Sequence, residues 1–204
     1  VIPTCVDLER FEYSPDFPAT RTALLSGTYN AIYNSSLIQE LNDHEIRNFE
    51  TRVVWAKGEE SHNNGSLGEQ EIIQAKFSDM PLIIRNSSFG IAVCKNNLGT
   101  SLDAAMPTKI AEFLAVGRPV IINSRLGDCG EILLTGRVAV TLNDTFDIDS
   151  ATKELTILIR DPKTPERCRK IAEEYFSLKR AAENYSELYT QMFNKIQIKP
   201  KDNS

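Results

Sequence analysis

The chain has 204 residues, a formal net charge of −5 and a pI near 5.2, an acidic balance that argues against a nucleic-acid-binding surface while leaving room for a local basic pocket. Hydrophobic residues make up 41% and charged residues 25%, the proportions of a globular domain with one sizeable core, and no apolar run is long enough to span a membrane. The cysteines, Cys5, Cys94, Cys129 and Cys168, are scattered without a C-x-x-C pair and lie near neither His44 nor His62, which argues against a metal site and reads as reduced thiols of a cytoplasmic protein.

Val1 to Phe11 reads as a loop that follows a strand lying elsewhere, and the start at valine as that of a fragment or processed piece. Ala23 to Gly27 is a first strand, ending in a Gly27-Thr28 loop. Leu37, Ile38, Leu41, Ile46 and Phe49 suggest a following helix. Arg52 to Gly58 is a second strand and its end, and the polar stretch from Glu59 to Gln70 a loop or a short frayed helix. Ile72 to Phe77 is a third strand. Ser78, Asp79, Met80 and Pro81 read as a helix start, with a polar cap, an acidic first turn and a proline, and the helix runs through Arg85. Gly90 to Cys94 is a fourth strand, apolar throughout, and Lys95 to Ala105 a loop with its turn at Gly99.

The stretch from Met106 to Ile122 is the most informative. Pro107 suits a first helical turn, where its missing N–H costs nothing. Ile110, Phe113 and Leu114 make an apolar helix face, and Gly117 stands where a left-handed residue would end the helix. Pro119 bars continuation, and Val120 to Ile122 is a strand apolar on both faces, as in a parallel sheet covered by helices. Lys109 and Glu112 are three apart and project from one side near the helix start. Free N–H groups and a positive dipole end there suit a phosphate. A lysine in that turn opposes the dipole, which makes sense where an anion is expected. A carboxylate one turn on can accept hydrogen bonds from a sugar diol. Two neighbouring solvated helix charges would give the same pattern.

Beyond Asn123, Asp128 reads as the cap of a helix through Leu134, Val138 to Leu142 is a sixth strand, and Ser150 to Arg160 an amphipathic helix. Pro165 to Phe176 and Lys179 to Ile196 form a helical tail with Leu188, Met192 and Ile196 at helical spacing; the residues after it are expected to be disordered. Strands alternating with helices predict an α/β fold: a doubly wound, Rossmann-like parallel sheet of six strands in the order 3-2-1-4-5-6, with helices on both faces. Ligands of such sheets bind beyond the carboxyl ends of the strands, where Gly27, Gly58, Phe77 and Cys94 all fall.

The run from Met106 to Ile121, MPTKIAEFLAVGRPVI, resembles the signature of retaining GT-B glycosyltransferases of the family-4-like group (glycosyl transferases group 1). Val1 to Phe11 resembles the segment joining the two domains of those enzymes, with Thr4 and Cys5 where Asn and Gly are usual. The resemblance implies one C-terminal, nucleotide-sugar-binding domain over 1–196, with 1–11 as interdomain segment, 164–196 as helical tail and 197–204 disordered, the N-terminal acceptor domain being absent. It implies a UDP-sugar or GDP-sugar donor, retaining transfer and no required metal. By position, Pro107, Thr108 and Lys109 would hold the diphosphate, with Lys109 neutralising its charge and Glu112 binding the ribose. Phe77, Ser78 and Met80 would take the base. Gly27, Thr28, Lys57 and Gly58 would complete the site. Lys109 and Glu112 are expected to face one open cleft beside Gly27 and Thr28.

The sequence departs from that pattern twice. No Arg or Lys follows Gly27 where the group carries a basic pair, so Lys109 and Lys57 are the candidates for that role. Ala104 stands where the group has a glutamate on the transferred sugar, and Asp103 could replace it only through a register shift. Two other functions therefore stay open: a non-catalytic nucleotide-binding module of GT-B type, and a GT-B sugar-nucleotide epimerase. The expected partners are the sugar donor and the missing N-terminal domain, through which peripheral membrane association could arise; no nucleic acid is expected.

Overall fold

The computed structural model describes residues 3–19, 22–27, 50–56, 71–94, 100–142 and 147–197. Strands β1 (Thr22–Gly27), β2 (Glu50–Ala56), β3 (Glu71–Ala75), β4 (Phe89–Ala92), β5 (Val120–Asn123) and β6 (Ala139–Leu142) pair in parallel in the order β3-β2-β1-β4-β5-β6. The fold is α/β with a parallel sheet and helices, the class the sequence predicts. The helix expected from Leu37, Ile38, Leu41, Ile46 and Phe49, the stretch from Glu59 to Gln70 and the chain after Gln197 lie outside the described residues.

Alternation along the central strands sorts side chains onto two faces. Leu24, Ala92, Val120, Ile122 and Ala139 enter one core with Ile84, Phe113, Leu133 and Cys168. Ala23, Phe89, Ile91, Ile121, Val140 and Leu142 enter another with Ile148, Ala151, Leu155 and Leu158. The first face is covered by α1 (Met80–Arg85), α3 (Thr108–Val116), α4 (Gly127–Thr135) and α6 (Thr164–Tyr175), the second by α5 (Ile148–Arg160). A short α2 (Thr100–Asp103) precedes α3 within the stretch expected to be a loop. A long α7 (Leu178–Gln197) ends the described chain. No helix among the described residues is long and apolar enough to cross a membrane.

Helix α3 lies unusually close to β4. A Cβ built on Gly90 would fall 2.4 Å from the Phe113 ring, so the glycine is what lets that fully buried ring rest on the strand backbone. Gly117, at φ +95, closes α3 as expected: its N–H bonds the Leu114 carbonyl and the Arg118 N–H bonds that of Phe113. Pro107 precedes the first turn and occupies the N-cap in extended conformation (φ −63, ψ 127). Asp128 is not the cap of α4. Leu126 holds that position and Asp128 falls in the first turn; beside it, Gly127 (φ +55) passes so close to the Asp103 carbonyl that no side chain fits there. Nor does the polar start before Met80 make a side-chain cap; Ser78 donates to Asp79 (3.0 Å) within a 3-10 turn, Phe77–Asp79.

The segment before β1 is bound into this domain. Val6 bridges Ser177, donating to the Phe176 carbonyl (2.7 Å) and accepting from the Leu178 N–H (3.0 Å). Arg169 of α6 donates to the carbonyls of Phe11 and Ala115, each at 3.0 Å. Arg118, only 1% exposed, donates to the carbonyls of Asp16 (2.9 Å) and Arg85 (2.8 Å) and to both oxygens of Ser14 (3.2 Å each). Burial lowers its pKa to about 10, so it remains charged at neutral pH.

Candidate functional site

The β4-α3-β5 crossover sets the start of α3 at the carboxyl edge of the sheet. The edge is tightened beyond the last strand pair. Asn123, at the end of β5, accepts from the Cys94 N–H (2.7 Å) and donates to the Cys94 carbonyl (2.9 Å), so a buried side-chain amide extends the β4–β5 ladder by one residue. The lead-in to α3 is held from the other side by Thr4, whose hydroxyl donates to the Met106 carbonyl (2.8 Å) and whose N–H points at the Met106 sulfur (3.3 Å). Thr4 thus docks on the turn that leads into α3.

Lys109 and Glu112 do come together on one side of α3 and act electrostatically on each other. The expectation that both face an open cleft is corrected for Lys109, which is 7% exposed. Its side chain is buried, which lowers its pKa to about 8, while the Cys94 thiol, two residues past β4, and Glu112 act to raise it. Glu112 is half-buried, and burial raises its pKa while Arg10 and Lys109 pull it down. Burial also raises the Cys94 pKa, opposed by Lys109. The start of α3 therefore holds a buried ammonium one turn from a partly buried carboxylate. Pro107 is half-buried and Thr108 exposed at the same helix end.

Gly27 ends β1, in register with Trp55 of β2. Thr28, Lys57 and Gly58 lie outside the described residues. At the end of β3, Phe77 is 68% exposed and Ser78 exposed, whereas Met80 packs against the main core. Of the three residues expected at a base site, two are thus exposed and one is chiefly a packing residue. Asp103 is bound bidentately to Arg125 (2.9 and 3.2 Å). It is committed to that pair, and Ala104 beside it offers no carboxylate. Sequence reasoning missed Arg10, whose guanidinium lies 3.4 Å from the centroid of the Phe77 ring. No local pattern signals a contact across 67 positions of sequence.

No protein-family model and no curated protein matches the chain. Solved structures do. A glycosyltransferase from Rickettsia africae ESF-5 superposes with a TM-score of 0.68 at 14% identity, over 98% of this chain and 57% of that one. Anabaena Alr3699/HepE in complex with UDP-glucose gives 0.67 at 12% identity, over 92% and 56%. The C-terminal domain of the glycosyl transferase group 1 family protein LpcC from Francisella tularensis gives 0.57 at 16% identity, over 85% of this chain and 99% of that domain. The chain spans about half the length of the larger neighbours and has the fold of the C-terminal domain of GT-B, group 1 glycosyltransferases.

Proposed function

We propose that the chain is the donor-binding half of a retaining glycosyltransferase that takes a UDP-sugar or GDP-sugar. The observation that carries this reading is the pairing of Lys109 with Glu112 at the start of α3, at the sheet edge where doubly wound folds bind nucleotides. An inward-facing ammonium at a helix N-terminus, whose dipole end is positive, suits a diphosphate. In this reading the amides of Thr108 and Lys109 bind the diphosphate, Lys109 neutralises the charge that grows on it as the sugar leaves, with no metal required, and Glu112 receives the ribose hydroxyls. Gly27, Thr28, Lys57, Gly58, Phe77 and Ser78 complete the donor pocket. The neighbour solved with UDP-glucose shares the fold, which supports this class of ligand.

An acceptor-binding domain of the same protein would pack on α7. Tyr185, Leu188, Tyr189, Met192 and Phe193 leave one side of that helix apolar and exposed, a surface that ordinarily marks an interface. Any peripheral membrane association would belong to that domain. One observation favours a second reading, a non-catalytic nucleotide-binding module: Asp103 is engaged by Arg125 and Ala104 has no carboxylate to offer a transferred sugar.

Thermal melts with millimolar UDP, GDP and ADP, run beside a donor-hydrolysis assay, test the proposal. At about 100 times the dissociation constant a bound nucleotide adds about 2.7 kcal/mol, a rise of roughly 5–10 °C in melting temperature. No shift with any nucleotide would sink the donor-site reading. Efficient sugar transfer by this chain alone would sink the half-enzyme reading.

A further inference from the structure

Residues 7–11 form a loop whose backbone is tightly held. The Asp7 carboxylate accepts from the N–H groups of Glu9 (3.0 Å) and Arg10 (3.2 Å), and Arg169 donates to the Phe11 carbonyl (3.0 Å). From this loop the Arg10 side chain crosses to the end of β3. Its guanidinium carbon lies 3.4 Å from the Phe77 ring centroid and 5.4 Å from that of Phe11, and it donates a hydrogen bond to the Phe77 carbonyl. An exposed phenyl ring ordinarily samples several rotamers; a guanidinium laid against it and bonded to its own carbonyl removes that freedom. The same cation acts on Glu112 more strongly than Lys109 does.

We propose that Arg10 is a positioning residue of the donor site, fixing Phe77 at the end of β3 and presenting a positive charge to Glu112 on α3. The inference rests on the donor-site reading and extends it to a residue outside the predicted donor pocket. A lysine would supply the charge but no planar face or fork of donors.

Among the described residues, the charges that act on Glu112 are Arg10 from the loop and Lys109 from its own helix. Of the elements packed on α3, α6 sends Arg169 to the Ala115 carbonyl near the far end of the helix, α1 carries Arg85, whose carbonyl bonds Arg118, and the chain after β4 brings the Cys94 thiol beside Lys109. Burial raises the Glu112 pKa and Arg10 leads the opposing effects. Without Arg10 the carboxyl takes its proton at a higher pH, and a protonated carboxyl accepts fewer hydrogen bonds from a diol.

The test is calorimetric titration of the whole chain with UDP, from about pH 5 to 8, for the wild type, Arg10→Lys and Arg10→Met. In the Met variant, affinity at neutral pH should fall about tenfold and the acid-side midpoint of binding should move to higher pH. In the Lys variant the midpoint should stay in place while affinity drops with the lost stacking. A wild type that binds UDP beside a Met variant with the same affinity and midpoint overturns the inference and leaves the donor site standing. Weaker binding with an unmoved midpoint overturns it too, by reducing Arg10 to a contact that supports the fold. A wild type that binds neither UDP nor GDP removes the donor site and this inference with it.

Discussion

Replacing Lys109 by methionine removes a buried ammonium at little cost in volume, and the structure makes opposite predictions for stability and for binding. Burial brings the Lys109 pKa from 10.5 down to about 8. That difference, about 2.5, corresponds to about 3 kcal/mol of stability lost at neutral pH by holding the lysine charged in the fold. Between pH 8 and 10.5 the unfolded chain carries a proton at this site that the folded chain has released. Stability therefore rises with pH across that window, and the penalty is at full strength below it. Lys109→Met should accordingly melt roughly 6–12 °C above the wild type at pH 7, with the gap shrinking above pH 8 and closing near 10.5. The same change should weaken UDP binding by about 10- to 150-fold, the loss of one charge-assisted hydrogen bond. Scanning calorimetry at three pH values, with and without UDP, reads both effects. A variant that melts lower at pH 7, or whose gap to the wild type ignores pH, refutes the electrostatic account; undiminished UDP affinity refutes the assigned role.

Gly90→Ala drives a methyl into the Phe113 ring, 2.4 Å away and fully buried, and should destabilise the fold by about 1–3 kcal/mol in urea denaturation, with much of the loss recovered when Phe113→Leu is added. Arg118→Met strands the Asp16 and Arg85 carbonyls that the guanidinium bonds and should cost about 3 kcal/mol or more, read as a lower urea midpoint.

Where local chemistry decides, the sequence was a good guide. Gly117 and Pro119 end α3 and admit β5 through conformational limits that hold in any context, and the i, i+3 spacing of Lys109 and Glu112 puts them together whatever surrounds the helix. It failed where distant parts of the chain meet. Asp128 has the chemistry of a cap, but the helix begins one residue before it, where Gly127 packs against the Asp103 carbonyl, a contact between parts of the chain that only the fold brings together. Lys109 is expected in an open cleft because its helix-start position suits an anion; that it is instead buried is a property of the packed fold that its spacing on the helix does not carry. Arg118 falls inside the most recognisable run of the sequence, yet it serves residues 14–16, a hundred positions earlier.

That last contact bears on how a two-domain enzyme would divide its work. Two arginines, Arg118 and Arg169, bond backbone carbonyls of the segment before β1, and the Val6–Ser177 bridge ties the same segment to the start of α7. Carbonyl partners of this kind depend on backbone position and not on side-chain identity, so the segment is held as firmly as a strand edge. Residues 4–17 therefore move with the donor site, and Thr4 and Arg10 keep their places on Met106 and Phe77 whenever this domain moves as a unit. The bridge also brings the segment and the foot of α7 to one point. A second domain joined through the segment would thus meet this one at the foot of α7, apart from Lys109, Glu112 and Phe77. On the function proposed, donor binding and domain closure are then separable: nucleotide affinity is set within this fold, and only transfer waits on the partner domain.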